Sequence, residues 1–171
     1  MLLHSPPSET HHGPPAGIDR LIGNDEAVTS KAYATSLRAS IAQIYRSAFW
    51  QTKARFADAR QRLSAIAALA HGWDSYGSEP PNANARSLAA RILDLLETAS
   101  LVPAQLTPTV EGGIALSFVE GNTRAVIEIY NTSEIAAATY SDQGEPTVWE
   151  IEFTEAQLLT SIERIRVHLA A

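Results

Sequence analysis

Hydrophobic and polar positions change their period once along this chain. From about Thr29 to Ala70, apolar residues recur in steps of three and four. Tyr33, Leu37, Ile41, Ile44 and Ala48 fall on one face, and Tyr45, Phe49, Phe56, Leu63 and Ile66 run along a line with the seven-residue rhythm of a helix seam. No Gly or Pro interrupts the stretch, and Thr29 or Ser30 can cap its start. About 40 residues of helix span roughly 60 Å, more than the diameter of a small domain. Either the helix breaks near Gln51 into a pair, or its first half extends past the core. A second helical pattern covers 82–98, with Ala85, Leu88, Ile92, Leu95 and Leu96 as its apolar face and Asn82 or Asn84 as cap. Arg86, Arg91, Asp94 and Glu97 read as its solvated face, at the spacing of ion pairs within one helix.

After a connector over 100–108 the period becomes two. Thr109-Val110 enters a first strand, and Glu111-Gly112-Gly113 is a hairpin turn. Ile114, Leu116 and Phe118 then point one way, as do Ala125, Ile127 and Ile129 in the next run. A fourth, Ala-rich strand spans Ile135 to Tyr140. A fifth spans Val148 to Phe153, with Trp149, Ile151 and Phe153 inward. Connections this short require antiparallel neighbours. Thr154 and Gln157 form a T-x-x-Q capping box before a last helix carrying Leu158, Ile162, Ile165 and Leu169; His168 near its end suits the helix dipole. The predicted fold is α+β: a long N-terminal helix or helix pair and a second helix packed on a four- to five-stranded antiparallel meander, closed by a C-terminal helix. The domain is expected over 25–171. Residues 1–24 hold four Pro and little to bury, so they are expected to be a disordered tail. His4, His11 and His12 lie in that tail and offer no metal-binding geometry.

The two helical patterns meet at His71-Gly-Trp-Asp-Ser-Tyr-Gly-Ser-Glu-Pro-Pro81. Gly72 sits where a chain leaves a helix through a left-handed residue, and Pro80-Pro81 forces extended backbone just ahead of the next helix. Trp73 and Tyr76 are expected to be buried with their polar tips bonded, Trp73 plugging the core. Asp74 is a natural acceptor for nearby backbone N–H groups. As a site, His71, Asp74 and Tyr76 could act as base, acid and hydrogen-bond donor. Backbone requirements account for most of the stretch, so a structural corner is the favoured reading.

Gly-Trp-Asp-Ser-Tyr-Gly over 72–77, Glu-Pro-Pro-Asn-Ala-Asn-Ala-Arg over 79–86, Pro-Thr-Val-Glu-Gly-Gly-Ile from Pro108 and Arg-Ala-Val-Ile-Glu-Ile-Tyr from Arg124 together resemble a group of small bacterial and phage proteins. Those share a G-W-D/N-x-Y-G turn, a helix and a P-x-x-x-G-G-I hairpin. The resemblance covers about Leu63 to Glu152. It implies a common fold and a bacterial or phage origin, and it brings no activity with it.

Composition narrows the function classes. The 171 residues carry a net charge of −6, which argues against a nucleic-acid partner. Cysteine is absent, which removes disulfides and thiolate chemistry. No signal-peptide pattern and no membrane-length apolar run occur, so a cytoplasmic location is expected. Gly112-Gly113 joins two strands and is not a phosphate loop. Glu111, Glu120, Glu128, Glu134, Glu150 and Glu152 read as the wet face of a sheet that could suit a basic partner. No cofactor and no metal is expected. Phe49 and Trp50 are apolar on adjacent faces of the helix, more than one buried stripe needs. Leu37, Ile41, Tyr45, Phe49 and Trp50 are therefore expected to meet another chain, either a protein partner or a second copy. The leading reading is a non-catalytic protein-binding module such as an antitoxin, immunity protein or accessory chaperone. The alternatives are a small enzyme built on His71, Asp74 and Tyr76, and an oligomeric structural component of a phage or mobile element.

Overall fold

The computed structural model describes residues 23–141 and 144–171, with side chains from residue 30 onward. All of the expected tail but residues 23 and 24, including its three histidines, lies outside the described residues. The chain divides into two units, Met1–Arg46 and Ser47–Ala171. The described part of the first is helix, the start of α1 (Gly23–Ile66). The second holds the rest of α1, α2 (Ala83–Thr98), five strands and α3 (Glu155–Leu169).

α1 is continuous through Gln51, so the chain has one long helix and not a pair. An Ala-rich sequence without Gly or Pro between Gly23 and Gly72 gives no residue at which to break it. The helix begins six residues before Thr29, so neither Thr29 nor Ser30 caps it. It also stops four residues before Ala70. Beyond Ile66 the chain tightens into bonds three residues apart: Ala67 N–H to Ser64 O, Ala68 to Ala65 and Leu69 to Ile66, at 3.1–3.2 Å. This is the usual way a helix end satisfies its last carbonyls.

The strands β1 (Gln105–Thr109), β2 (Gly113–Glu120), β3 (Thr123–Tyr130), β4 (Ile135–Tyr140) and β5 (Thr147–Glu150) form one antiparallel sheet in sequence order. β1 starts four residues earlier than its sequence suggests. Pro108 disguises it, yet Pro is tolerated here because β1 is an edge strand paired only with β2. β5 ends three residues early. Ile151 still donates its N–H to Ile135 O at 2.8 Å before a tight turn, Thr154 N–H to Glu152 O, leads into α3. The expected capping box is half formed: Thr154 Oγ1 accepts the Gln157 N–H, while the Thr154 N–H goes to Glu152.

α2 and α3 cover one face of the sheet. Phe56, Leu63 and Ile66 of α1, Ile92 and Leu96 of α2, and Ile162 and Ile165 of α3 join Leu116, Phe118, Ile127 and Ile129 in one core. The anticipated ion pairs within α2 do not form. Asp94 and Glu97 face α1 instead: Arg60 reaches both, at 2.8 and 2.6 Å, and Lys53 reaches Glu97 at 2.6 Å. Two cations hold the Glu97 carboxyl below its ordinary range, Lys53 first and Arg60 second.

Candidate functional site

Two regions carry the residues singled out from the sequence: the apolar face of α1 and the turn between α1 and α2.

The line along α1 divides. Phe56 is fully buried, and Ala59, Leu63 and Ile66 follow it into the core. Two turns earlier nothing covers the same line. Phe49 is 55% exposed, Trp50 67% and Tyr45 74%, and Leu37 and Ile41 are exposed too. The Phe49 and Trp50 rings pack edge to face, centroids 5.5 Å apart, so two large aromatics stand preformed on one turn of helix. Helix period places Leu37, Ile41, Tyr45 and Phe49 on one stripe about 120° wide, with Trp50 some 100° further round on the adjacent face.

The turn over 71–81 is a closed loop. The Gly72 N–H donates to Ser78 O and the Ser75 N–H to Gly72 O, both at 2.9 Å. Asp74 braces the inside: Oδ1 accepts the N–H groups of Tyr76 and Ser78 at 3.0 and 3.2 Å, and Oδ2 accepts the Ser78 hydroxyl at 2.6 Å. The Ser78 hydroxyl first, then these backbone donors, hold its carboxyl below the usual range. The brace also secures Ser75 in the left-handed region at φ 68°. Two expectations fail here. Tyr76 is not buried but 92% exposed at the loop tip, because the loop closes through its own backbone and leaves no cover for the ring. Trp73 does not plug the core. It is half-buried outside the core cluster, and its buried indole N–H has no hydrogen-bond partner among the described residues.

His71, Asp74 and Tyr76 do not converge. His71 Nδ1 pairs with Glu79 Oε1 at 3.1 Å, Asp74 has both oxygens engaged within the loop, and Tyr76 points to solvent. Among the described residues no group of three His, Cys, Asp or Glu is placed to hold a metal.

A residue the sequence reading passed over ties this region to the sheet. Asn131, in the β3–β4 turn, accepts the Asn82 N–H on Oδ1 at 2.8 Å and donates from Nδ2 to Pro80 O at 3.1 Å. Asn82 Nδ2 returns a bond to Asn131 O at 2.9 Å, and Asn82 Oδ1 caps α2 through the Ala85 N–H. The Asn131 N–H goes to Gly112 O in the β1–β2 turn, where an added Cβ would stand 2.8 Å from Asn131 Nδ2. At Gly113 a Cβ would lie 2.4 Å from Ile129 O, so this strand start accepts only glycine. The Pro-Pro-Asn and Gly-Gly-Ile stretches thus meet at one clasp. Asn-Thr-Ser at 131–133 reads as an ordinary turn, and nothing local shows that its partner lies 49 residues away.

No protein-family model, curated protein or solved structure matches the chain. Among the described residues, no helix is long and apolar enough to cross a membrane.

Proposed function

We propose that this protein is a non-catalytic protein-binding module whose contact surface is the exposed apolar face of α1. One observation carries the reading. Half of the large hydrophobic side chains exposed among the described residues lie on α1 between Tyr33 and Trp50. Scattered apolar residues are normal on a surface, whereas a continuous stripe with a preformed aromatic pair is what buries well against a partner. The enzyme alternative has less support, since its three residues share no hydrogen bond. Antitoxin, immunity protein and accessory chaperone are the roles we consider first. A cysteine-free chain agrees with the cytoplasmic location that goes with them.

Site-specific photocrosslinking in a host that expresses the gene tests the proposal. A photoreactive phenylalanine analogue at Tyr45 or Trp50 is expected to yield protein adducts, and the same analogue at exposed Ala90 of α2 none. Equal yields at all three positions, or no adduct at any, would refute it.

A further inference from the structure

The second face of the sheet offers the complement of that helix. Its side chains come into register across the strands. Ala115 of β2, Glu128 of β3, Ala136 of β4 and Glu150 of β5 form one row, and Ser117, Val126, Ala138 and Val148 the next. Small residues alternate with Glu in the first row and with Val in the second, and on the β1–β3 side Gln105, Ala115, Ser117, Val126 and Glu128, with Val119, Arg124 and Tyr140 toward one end, line a trough of about 480 Å³. Val119, Tyr140 and Val148 are exposed on this face. This is not the purely wet face the alternation suggested. It is a mixed surface on which Ala, Ser and Val positions lie beside Glu128 and Glu150.

Charge is sorted along the chain to match. Between 101 and 155 there are nine acidic residues and one basic residue, Arg124. Between 30 and 57 there are five basic residues, Lys31, Arg38, Arg46, Lys53 and Arg55, and no acidic one. The net charge of −6 conceals this division. Arg38 and Arg46 each follow a stripe residue, Leu37 and Tyr45, by one position. At 100° per residue Arg38 falls between Tyr45 and Phe49 and Arg46 some 80° further round, both toward the Phe49 edge of the stripe, about 12 Å apart along the axis at 1.5 Å per residue. Glu128 and Glu150 lie two strands apart, about 10 Å at the usual strand spacing. Among the described residues neither Arg38 nor Arg46 has a carboxylate partner.

Resting on the proposed function, we infer that the partner of α1 is a second copy of this chain, with the apolar, basic stripe of each copy seated on the open, acidic sheet face of the other. The reciprocal contact is isologous and covers both exposed surfaces of both chains. Bulky helix side chains settle between the valines and over the small residues of this face. The arginines at the edge meet Glu128 and Glu150, which steers the two chains into register.

Sedimentation velocity on the full chain and two charge-reversed variants tests this. Arg38→Glu with Arg46→Glu makes helix and sheet both acidic at the contact. Glu128→Lys with Glu150→Lys makes both basic. The wild-type chain is expected to be a reversible dimer that weakens at 1 M salt, where charges are screened beyond roughly 3 Å. Each variant alone should dissociate, its dimer Kd rising at least about tenfold, as for lost close charge pairs. An equimolar mixture should restore a heterodimer, because both of its contacts pair opposite charges. Circular dichroism checks that each variant folds, and Glu150→Lys alone, at an exposed position, replaces the double variant if it does not. A wild-type chain that stays monomeric at every concentration overturns the inference and leaves a different protein as the partner of α1. A dimer lost on helix reversal but indifferent to sheet reversal overturns the sheet seat alone. Variants that dissociate singly and fail to combine also overturn it.

Discussion

Phe49 and Phe56 are one heptad apart on the same helix line, and their surroundings are opposite. Phe56 is completely buried and Phe49 is more than half exposed. Between them stands Lys53, whose ammonium lies 5.8 Å from the Phe49 ring centroid and pairs with Glu97 near the end of α2. From Lys53 onward the line has neighbours from α2 and the sheet. Before it, the same residue types at the same spacing have none. The sheet shows a parallel contrast. Ile127 on one face is in the core, while Val126 and Glu128 on the other line the open trough. Periodicity therefore marks which residues can be buried, and the reach of the neighbouring elements decides which of them are. A stripe that continues past its cover is a candidate contact surface.

The largest expected effect separates the two phenylalanines. Phe56→Ala should cost about 3–5 kcal/mol of unfolding free energy, the range for emptying a packed aromatic site. Phe49→Ala, measured where the chain is monomeric, should stay within about 0.5 kcal/mol, as for surface changes generally. Urea unfolding of both variants decides, and equal losses would erase the distinction. Trp73→Phe comes next. It removes a buried donor that has no partner, so it should cost less than Trp73→Ala, which also empties part of the half-buried site; a thermal melt ranks the two.

Glu97 marks the border of the covered stretch. Glu97→Gln should lower stability by about 0.5–1 kcal/mol, because the pairs it loses are partly exposed and screened. The sign with pH follows from its lowered folded-state pKa. The contribution is fully present above the unfolded value near 4.3 and is lost as pH falls through the folded value. Wild type and variant should therefore converge in acid, and a constant gap down to pH 2 would show that the charge is not responsible.

The smallest effect concerns the open face of the sheet. The Tyr130 hydroxyl donates to Glu128 Oε2 at 2.6 Å, and this bond to a carboxylate pushes the phenol up to about 12. Because the folded value is raised, the contribution is intact below the unfolded value near 10 and is lost between there and about 12. Ultraviolet titration should show one late-titrating tyrosine in wild type that returns toward 10 in Glu128→Ala. The absence of a late step would mean that the pair is not formed.

Much of this molecule was decided locally. The change of period at the first hairpin, the turns at Gly112 and Gly121, and the caps Asn82 and Thr154 follow from residues within a few positions of each other, so the α+β class, the meander order and the inward faces could be read from the chain. Errors at element ends had local causes too, as where Pro108 masks a strand that its edge position allows. Asp74 could be read as a turn acceptor because its partners lie two and four residues on. The fates of Trp73 and Tyr76 could not, since an aromatic residue is buried only if distant elements arrive to cover it. The Asn131 clasp, the turning of Asp94 and Glu97 toward Arg60 and Lys53, and the point on α1 where burial begins depended on tertiary structure alone. These contacts join residues 19 or more positions apart, and one-dimensional spacing holds no information about which surface comes to rest against which.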